Sequence, residues 1–531
     1  MTRWLFGAMC LFVLPAVAAP PAPAPFEFRT VALSEQQAPG TEPGVRYGGL
    51  DISTAQINAA GQVVFETSPL VGPGVTSAND YGIFAGAPGA VGLVARSGTQ
   101  APDLPTGVIY QGFVGDAARL INGQGQLAFG SQLAGPGISP GQAAVFEGPA
   151  GSVRLLAAEG GAAPGFDAGV VIAALAHITD INDAGDVLFS GRVSGPGITA
   201  TNDRVMWVGT PGNLTVVARR GDRAPGTAGG VTFNDLYGIG ARLNNNGLVG
   251  FASGLANGVN GTNNRALFVG RPGALQLVAR LGDPAAGVAG TVFTNMDTPA
   301  LNDAGRFVFH GAAGQKHGIW AGAPGSLQLV ALGGESAPGT PAGVTYADVR
   351  FTQPVIGPSG MVAFQSGLQG SGVGLNDVGV WAGQPRALHL VARTGDGVPA
   401  AGQDAQFDFL SPSMMINSSD ALLFESTLKG TGISDANDTA LFLVTPGAAP
   451  VMVVREGDGI DVGNGDVRII RELGTGGGRE SFLLNDAGQV AFRATFTDGS
   501  SGVFVTVPEP SGAALAVTGL TLAGLRRRRR G

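Results

Sequence analysis

The stretch that decides the fold reads TVALSEQQAPG, from Thr30 to Gly40, near the start of the chain. Far along the chain, from Leu329 to Gly339, the sequence reads LVALGGESAPG, with V-A-L and A-P-G at the same spacing. At Leu329–Gly339 the stretch ends a longer repeated unit, whereas no such unit precedes it at Thr30–Gly40. The chain thus opens with the last part of its own repeat, which indicates a ring that closes on itself.

The repeat has the core pattern N-x-x-G-x-x-x-F and recurs eight times, with starts 55 to 68 residues apart. Asparagine is favoured at the first position of a type I turn and glycine at the fourth, so we interpret the asparagines as turn formers. The apolar residues after the turn alternate as on one face of a β-strand. Two copies are degenerate, because Gly357 replaces the asparagine of one and Asp420 replaces the glycine of the next. The copies start at Asn58, Asn122, Asn182, Asn244, Asn302, Gly357, Asn417 and Asn485.

Each unit contains four short apolar segments, called strands a, b, c and d, with the N-x-x-G turn between a and b. Strand c has one aromatic position, filled by Trp207, Trp320 and Trp381 in three copies and by phenylalanine in the others, so these tryptophans are predicted core residues. Four antiparallel strands per unit of about 60 residues predict a propeller blade. The fold class predicted is therefore all-β, an eight-bladed β-propeller of four-stranded antiparallel blades.

The last unit stops at its strand c, Gly502–Val507, and lacks a strand d. The segment Phe26–Gly40 is predicted to supply that strand and to close the ring non-covalently, which removes long exposed strand edges. An open solenoid would gain nothing from dividing one unit between its two ends. A count of seven or nine blades would require that one degenerate copy be miscounted.

The N-terminus has the three parts of a secretory signal peptide. Arg3 provides the charge, Trp4–Leu14 is apolar, and Ala16–Ala18 is a small-residue cleavage site. We therefore predict a signal peptide over residues 1–18, a Pro/Ala-rich linker over 19–25 and the propeller over 26–507. Cys10 is the only cysteine and lies within the signal peptide, so disulfides and cysteine metal sites are excluded from the mature chain.

The C-terminus, residues 508–531, resembles the PEP-CTERM sorting signal of exported bacterial proteins. It contains V-P-E-P, then an apolar run from Ser511 to Leu525 that predicts a short transmembrane helix, then an arginine cluster that would stay cytoplasmic. The resemblance implies transient anchoring in the inner membrane of a Gram-negative bacterium that makes extracellular polysaccharide. It also implies removal of the tail by an exosortase-type enzyme and a final location in the periplasm, at the outer surface or in the extracellular matrix. The residues that match are Val507, Pro508, Glu509, Pro510, Arg526, Arg527, Arg528, Arg529 and Arg530.

The repeat region, from Phe26 to Val507, resembles the NxxGxxxF tandem-repeat family, and this resemblance implies no particular activity. The charge of the region is acidic. Without Arg3 and the tail arginines, 25 of the 31 basic residues remain, and without Glu509, 38 of the 39 acidic residues remain, for a net charge of −13. A nucleic-acid-binding protein needs a basic face, so that class is excluded.

In the predicted strand order, the tight a–b and c–d turns share one face of the ring, and the longer b–c and d–a loops share the other. The loop face is predicted to carry a ring of aspartates, and calcium, which prefers oxygen ligands, is a possible cofactor there. The alternative is that each aspartate caps its own turn. The eight aspartates are Asp80, Asp203, Asp222, Asp283, Asp377, Asp396, Asp438 and Asp458.

One blade breaks the repeat. Its segment from Phe309 to Trp320 has a much shorter b–c loop and contains His310, Lys316 and His317, the only concentration of such residues in the chain. Two imidazoles across a hairpin could share a metal ion, with a d–a loop carboxylate as third ligand. The alternative is a trimmed hairpin with solvated polar residues.

Two classes of function follow. The first is an exported, non-catalytic surface or matrix protein whose propeller face binds an extracellular glycan or a protein partner. The second is an extracellular polysaccharide-active enzyme, a lyase or hydrolase, which needs a unique set of acid and base groups. Since no carboxylate pair breaks the repeat and nearly all polar features recur by symmetry, the sequence favours binding and identifies no catalytic residue.

Overall fold

A computed structural model describes residues 26–51, 56–113, 119–236, 238, 240–374, 377–474 and 482–507. These residues form an eight-bladed β-propeller of antiparallel sheets, which confirms the predicted fold class. No helix in these ranges is long and apolar enough to cross a membrane. The predicted signal peptide, the linker, the transmembrane helix and the arginine cluster lie outside the described residues.

The two middle strands of each blade form its regular core. Strand b follows each N-x-x-G turn, and strand c pairs with it as an antiparallel neighbour. The b strands are Val63–Thr67, Gln126–Ala134, Val187–Ser194, Val249–Ala256, Phe307–Ala313, Val362–Gln369, Leu422–Lys429 and Val490–Phe496. The c strands are Gly82–Gly86, Ala143–Pro149, Arg204–Thr210, Arg265–Gly270, Lys316–Gly322, Val378–Gln384, Thr439–Val444 and Ser501–Thr506. Blades are numbered 1 to 8 in this order.

Strand d pairs with strand c at one edge of each blade. In blades 1 to 7 the d strands are Gly92–Arg96, Arg154–Ala158, Asn213–Arg219, Gln276–Arg280, Gln328–Leu332, Ala387–Arg393 and Val451–Arg455. The strand at this place in blade 8 is Phe28–Leu33. A short 3-10 helix, Pro399–Ala401, lies in the connection from blade 6 to blade 7.

Strand a, at the other edge, is interrupted or bulged in every blade. It is a single strand in blades 3 and 7, Val171–Ile181 and Gln406–Ile416. In the other blades beyond the first it is split, as Ile109–Phe113 with Leu120–Ile121, Thr232–Asp235 with Arg242–Leu243, Phe293–Met296 with Ala300–Leu301, Thr345–Phe351 with Val355–Ile356, and Val467–Leu473 with Phe482–Leu484. The short strand Gly459–Asp461 pairs with Val467–Leu473. In blade 1, Arg46–Tyr47 pairs with Leu70–Val71, and single bridges join Asp51 to Glu66 and Ile57 to Val63.

The core of each blade is an aromatic pair across strands b and c. Phe189 lies opposite Trp207, for example, with ring centroids 5.5 Å apart and nearly parallel planes. Corresponding pairs occur in all eight blades, and burial of such rings is a major source of stability. Trp207, Trp320 and Trp381 are fully buried, which confirms their prediction as core residues.

The N-terminal strand closes the ring as predicted. Phe28–Leu33 is antiparallel to Ser501–Thr506, with Phe28 opposite Thr506 and Leu33 opposite Gly502. The backbone N–H of Val507 donates to the carbonyl of Glu27 at 2.8 Å, so the pairing extends beyond the strands. The A-P-G segment that follows contacts blade 1, since a Cβ on Gly40 would lie 3.0 Å from Leu93. The opening stretch thus joins the last blade to the first.

The asparagines form the predicted turns and also link neighbouring blades. At Asn58, Oδ1 accepts hydrogen bonds from the N–H groups of Ala60 and Gln62, and the amide Nδ2 donates to the carbonyl of Asn122 in the next blade. Among the described residues, six such amides donate to the next blade at 2.8–3.1 Å, from Asn58, Asn122, Asn244, Asn302, Asn417 and Asn485. The last of them reaches Asn58, so this hydrogen-bonded ring, the asparagine ring, spans the chain closure.

The two degenerate turns are adjacent and fit each other. Asp420 occupies the left-handed position that glycine fills in the other copies, with φ of 59°, a conformation that Asp tolerates better than most residues. Its Oδ1 would lie only 1.9 Å from a Cβ on Gly357. A side chain at position 357 would therefore force the aspartate of the next blade to move, so the two departures from the repeat fit each other.

Candidate functional site

The two faces of the propeller differ in the groups they leave available. The face of the a–b turns carries the asparagine ring, whose residues are 3–6% exposed and engaged in hydrogen bonds. The opposite face carries the b–c and d–a loops, as the antiparallel strand order requires. The shortened b–c hairpin of blade 5 and the largest cleft described, between blades 6 and 7, both belong to this loop face.

The eight loop-face aspartates do not converge. Asp203 is buried and pairs with Arg192 at 2.6 Å, and both carboxylate oxygens of Asp377 accept from Arg393. Asp458 accepts from the backbone N–H three residues before it. No group of three or more His, Cys, Asp or Glu side chains within the described ranges could hold a metal ion. Asp203 and Asp377 thus pair with arginines of their own blades, and Asp458 caps its own turn.

The structure brings two of the three blade 5 candidates together. The b–c connection is a two-residue turn, Gly314–Gln315, and His310 and His317 are diagonal neighbours across the hairpin. His310 Nε2 lies 2.9 Å from His317 Nδ1. The ring centroids are 5.0 Å apart with planes 20° from parallel, so the rings meet edge to edge in nearly one plane. Lys316 is exposed at the end of the turn, on the opposite side of the strand from His317.

A carboxylate that the sequence did not single out completes the group. Asp297, between the two halves of strand a, lies 2.6 Å from Nδ1 of His310. A carboxylate accepts a hydrogen bond, so Nδ1 of His310 carries a proton, and in the neutral form of His310 its Nε2 accepts from Nδ1 of His317. The result is a linear chain of hydrogen bonds, the Asp297–His310–His317 relay, whose outer end is Nε2 of His317.

The geometry of the relay differs from that of the metal site considered above as a hypothesis. The two imidazole nitrogens point at each other rather than toward a common point, and the carboxylate contacts His310 from strand a instead of a d–a loop. The hydrogen bond from His310 and nearby positive charges lower the pKa of Asp297. Burial and the neighbouring His310 lower the pKa of His317, which favours the neutral form of this imidazole. Chemically, the relay presents a neutral nitrogen base backed by a carboxylate.

A larger site lies between blades 6 and 7. An open cleft of about 820 Å³ on the loop face is lined by the ends of strands c and d of blade 6 and by strand a of blade 7. Phe409 is 55% exposed in this cleft, although the other phenylalanines of strands a, b and c are buried. The charged groups around it are Asp377, Asp408 and Lys429.

Sequence reasoning missed Phe409, although a signal was present. Strand a of blade 7 has its first aromatic residue at Phe407, and Phe409 comes two residues later. At the same position in strand a of the other blades, the residues are Gly49, Gly112, Ala174, Asp235, Asn295, Asp348 and Glu472. Phe409 is the only large apolar residue at this position. The signal is weak because strand a is bulged there, and a bulge hides which residues face outward.

The fold and this site define the class of protein, an eight-bladed propeller with one face fixed by an asparagine ring and an open cleft on the other. One family model matches the chain twice, over residues 24–269 and 144–514. That family is described as a family of unknown function (DUF7453), and the chain belongs to it. No curated protein sequence matches the chain.

Among solved structures, the chain is similar to the Dos1 propeller, at 10% identity over 91% of this chain and 94% of that chain, with a TM-score of 0.35. It is also similar to the β-propeller domain of the trilobed protease from Pyrococcus furiosus, which has an open velcro topology, at 8% identity over 79% and 98% of the two chains, with a TM-score of 0.36. An acylaminoacyl peptidase from Pyrococcus horikoshii matches at 11% identity over 77% of this chain and 55% of that chain, with a TM-score of 0.34. Likeness at this level says nothing of what the chain binds.

Proposed function

We propose that this protein is an exported, non-catalytic binding propeller of the cell surface or extracellular matrix, and that its loop face binds a glycan or a protein partner. The observation that carries the proposal is the contrast between the two faces. The asparagines of the turn face are committed to the hydrogen bonds of the asparagine ring, and the cleft described on that face, beside Arg306 and Gln384, measures only about 280 Å³, whereas the loop face has an open cleft of about 820 Å³ that contains an exposed aromatic ring. Recognition sites commonly combine such a concave surface with a few polar groups.

The export route is part of the same proposal and is supported by the sequence. Residues 1–18 direct secretion, and the C-terminal signal anchors the chain briefly in the inner membrane until an exosortase-type enzyme removes the tail. We expect mass spectrometry of the protein from outside the cell to find peptides of the propeller but none from Ala513 to Gly531. Recovery of an intact arginine cluster from the extracellular fraction would contradict this route.

The test of binding uses the mature propeller purified from a secreting host. We expect it to bind a subset of glycans on an array of neutral and anionic polysaccharides, or to retain a discrete protein from extracellular matrix in a pull-down. The same chain unfolded by heat serves as control for nonspecific adsorption. An absence of any retained glycan or protein above that control would contradict the proposal.

A second function is supported by one observation, the Asp297–His310–His317 relay. A neutral imidazole backed by a carboxylate is a suitable general base, so the alternative is a polysaccharide lyase or hydrolase that uses His317 Nε2. That alternative predicts that the full chain depolymerises a polysaccharide and that His317→Ala abolishes this activity without unfolding the chain. Binding without any change in polymer length would exclude it.

A further inference from the structure

We propose that the cleft between blades 6 and 7 binds an uncharged pyranose ring of a glycan, which stacks on Phe409. This inference rests on the proposed function and specifies its site and ligand class. It depends on three features of the cleft, which are the orientation of Phe409, the pairing of the surrounding charges and the size of the opening.

A β-bulge directs Phe409 outward. In strand a of blade 7, Phe407 lies opposite Leu428, but Phe409 lies opposite Thr427, so one residue is extra on the bulged strand. Phe407 and Leu410 are buried, and Asp408 and Phe409 between them both face solvent. Since a bulge re-aims side chains, the ring of Phe409 leaves the core and lines the cleft.

The backbone beneath Phe409 is fixed from both sides. Ser426 Oγ donates to the carbonyl of Phe409 at 2.8 Å, and Gln365 Nε2 of blade 6 donates to the carbonyl of Leu410 at 2.5 Å. Because a ring held on a rigid strand loses little conformational entropy on binding, Phe409 is a suitable stacking platform.

The charges that surround Phe409 are paired. Asp408 Oδ1 lies 2.8 Å from Lys429 Nζ, and Asp377 forms two hydrogen bonds with Arg393, at 2.5 and 3.0 Å. Each acidic group thus has a basic partner, and the cleft offers no net charge to an ionic ligand. The pairs still present oxygen acceptors and nitrogen donors at the sides of the aromatic ring. Hydroxyl groups around a sugar ring match such a rim, and the sugar's apolar C–H face matches Phe409.

The size and shape of the cleft fit part of a polymer. Its volume of about 820 Å³ is toward the upper end of the roughly 300–1,000 Å³ common for small-ligand sites. The cleft is open along the boundary between two blades, so a chain of sugar residues can enter and leave it. We therefore expect binding to an internal segment of a neutral polysaccharide.

The test measures affinity of the full chain for soluble neutral oligosaccharides, such as β-glucan, mannan and galactan fragments, and for polygalacturonate as the anionic comparison. We expect at least one neutral series to bind, and Phe409→Ala to weaken that binding by about tenfold or more. Phe409→Trp is expected to retain or strengthen it, because a larger ring still stacks. Val467→Ala, which removes a side chain 60% exposed in blade 8, is the matched control and should bind as the native chain does.

The outcomes separate this inference from the proposed function. Equal neutral-glycan affinity of the native chain and of Phe409→Ala would overturn the cleft site and leave the binding function standing. Binding of polygalacturonate alone would overturn the neutral ligand class. If no neutral oligosaccharide binds while a protein is retained in the pull-down, the inference is wrong and the broader proposal holds. Unchanged thermal unfolding of Phe409→Ala is required for any loss to count in its favour.

Discussion

At the scale of single residues, the repeated asparagine needs both halves of its amide. In Asn485, Oδ1 accepts from the N–H of Gln489, which holds the turn, and Nδ2 donates to the carbonyl of Asn58, which joins the last blade to the first. Serine or aspartate can replace the acceptor in a turn, but neither supplies a donor in the same geometry. The hydrogen bond to the next blade therefore explains why asparagine is preferred to serine or aspartate at this position, which turn chemistry alone does not explain.

We predict that Asn485→Asp destabilises the propeller by about 1–3 kcal/mol, because a carboxylate keeps the turn but places an acceptor against the buried carbonyl of Asn58. The measurement is the urea dependence of unfolding. Asn437→Asp is the control, since Asn437 makes similar hydrogen bonds within an exposed loop. Equal effects of the two substitutions would show that the ring contact contributes nothing.

A second residue-scale prediction concerns Asp180, in strand a of blade 3. Its carboxylate accepts from the N–H of Leu243 in the next blade, and burial raises its pKa to about 6 despite the nearby Arg242. A carboxyl group with a raised pKa in the folded state binds protons on folding. It therefore makes stability fall as pH rises from about 4 to about 6, and its effect is constant above that window.

We expect the difference in unfolding free energy between the native chain and Asp180→Asn to change across this window by up to about 3 kcal/mol, and to be flat above it. Urea unfolding between pH 4 and 8, in about unit steps, provides the measurement. Parallel curves for the two proteins would refute the assignment.

At the scale of elements, the a–b turn keeps its shape when its sequence changes. In the degenerate copy of blade 6, Gly360 N–H still donates to the carbonyl of Gly357 at 3.0 Å, and Ser359 Oγ replaces the missing asparagine as an acceptor. In blade 7, Asp420 takes the left-handed position. The turn tolerates each change, and the contact between the two turns makes the changes interdependent.

A double-mutant cycle tests this dependence. Gly357 lies outside the left-handed region, so asparagine is acceptable to its backbone, and the obstacle is Asp420. We predict that Gly357→Asn alone is destabilising, that Asp420→Gly alone is nearly neutral, and that the double substitution recovers about 1–2 kcal/mol relative to Gly357→Asn. Additive effects in urea unfolding would contradict the proposed compensation.

At the scale of the whole molecule, stability depends on closure by a non-covalent strand. Phe28 packs edge-on against Phe492, and Thr30 Oγ1 donates to the carbonyl of Val462, so the first strand also holds the d–a connection of the last blade. Because both ends of the propeller segment meet in one blade, loss of this strand exposes an edge and opens the aromatic core beside it.

We predict that deletion of Phe26–Gly40 yields aggregated or unfolded protein rather than a trimmed monomer. The control is a permuted chain that begins at Thr41 and carries Phe26–Gly40 after Val507 through a c–d turn like those of the other blades. This permutant should be monomeric and unfold at nearly the native temperature. Light scattering measures the mass in solution, and thermal unfolding measures the stability. A deletion variant that is monomeric and as stable as the native chain would refute closure by this strand.

The sequence by itself determined the all-β class, the eight units, the order of strands within each unit, the buried tryptophans and the N-terminal closing strand. Each of these follows from spacing along the chain, since turn residues and alternating apolar residues act on neighbours in the same unit. The sequence also indicated the approach of His317 to His310, because a short hairpin fixes which residues lie opposite each other.

Only the tertiary structure decided how blades meet. The asparagine ring, the addition of Asp297 to the two histidines, the fit of Asp420 against Gly357 and the exposure of Phe409 all join residues whose contact depends on blade stacking or on bulges in strand a. The dispersal of the loop-face aspartates was also undetermined by spacing. The physical reason is that a repeat pattern specifies backbone pairing within a sheet, whereas contacts between sheets depend on their twist and on local shifts of register that leave no period in the sequence.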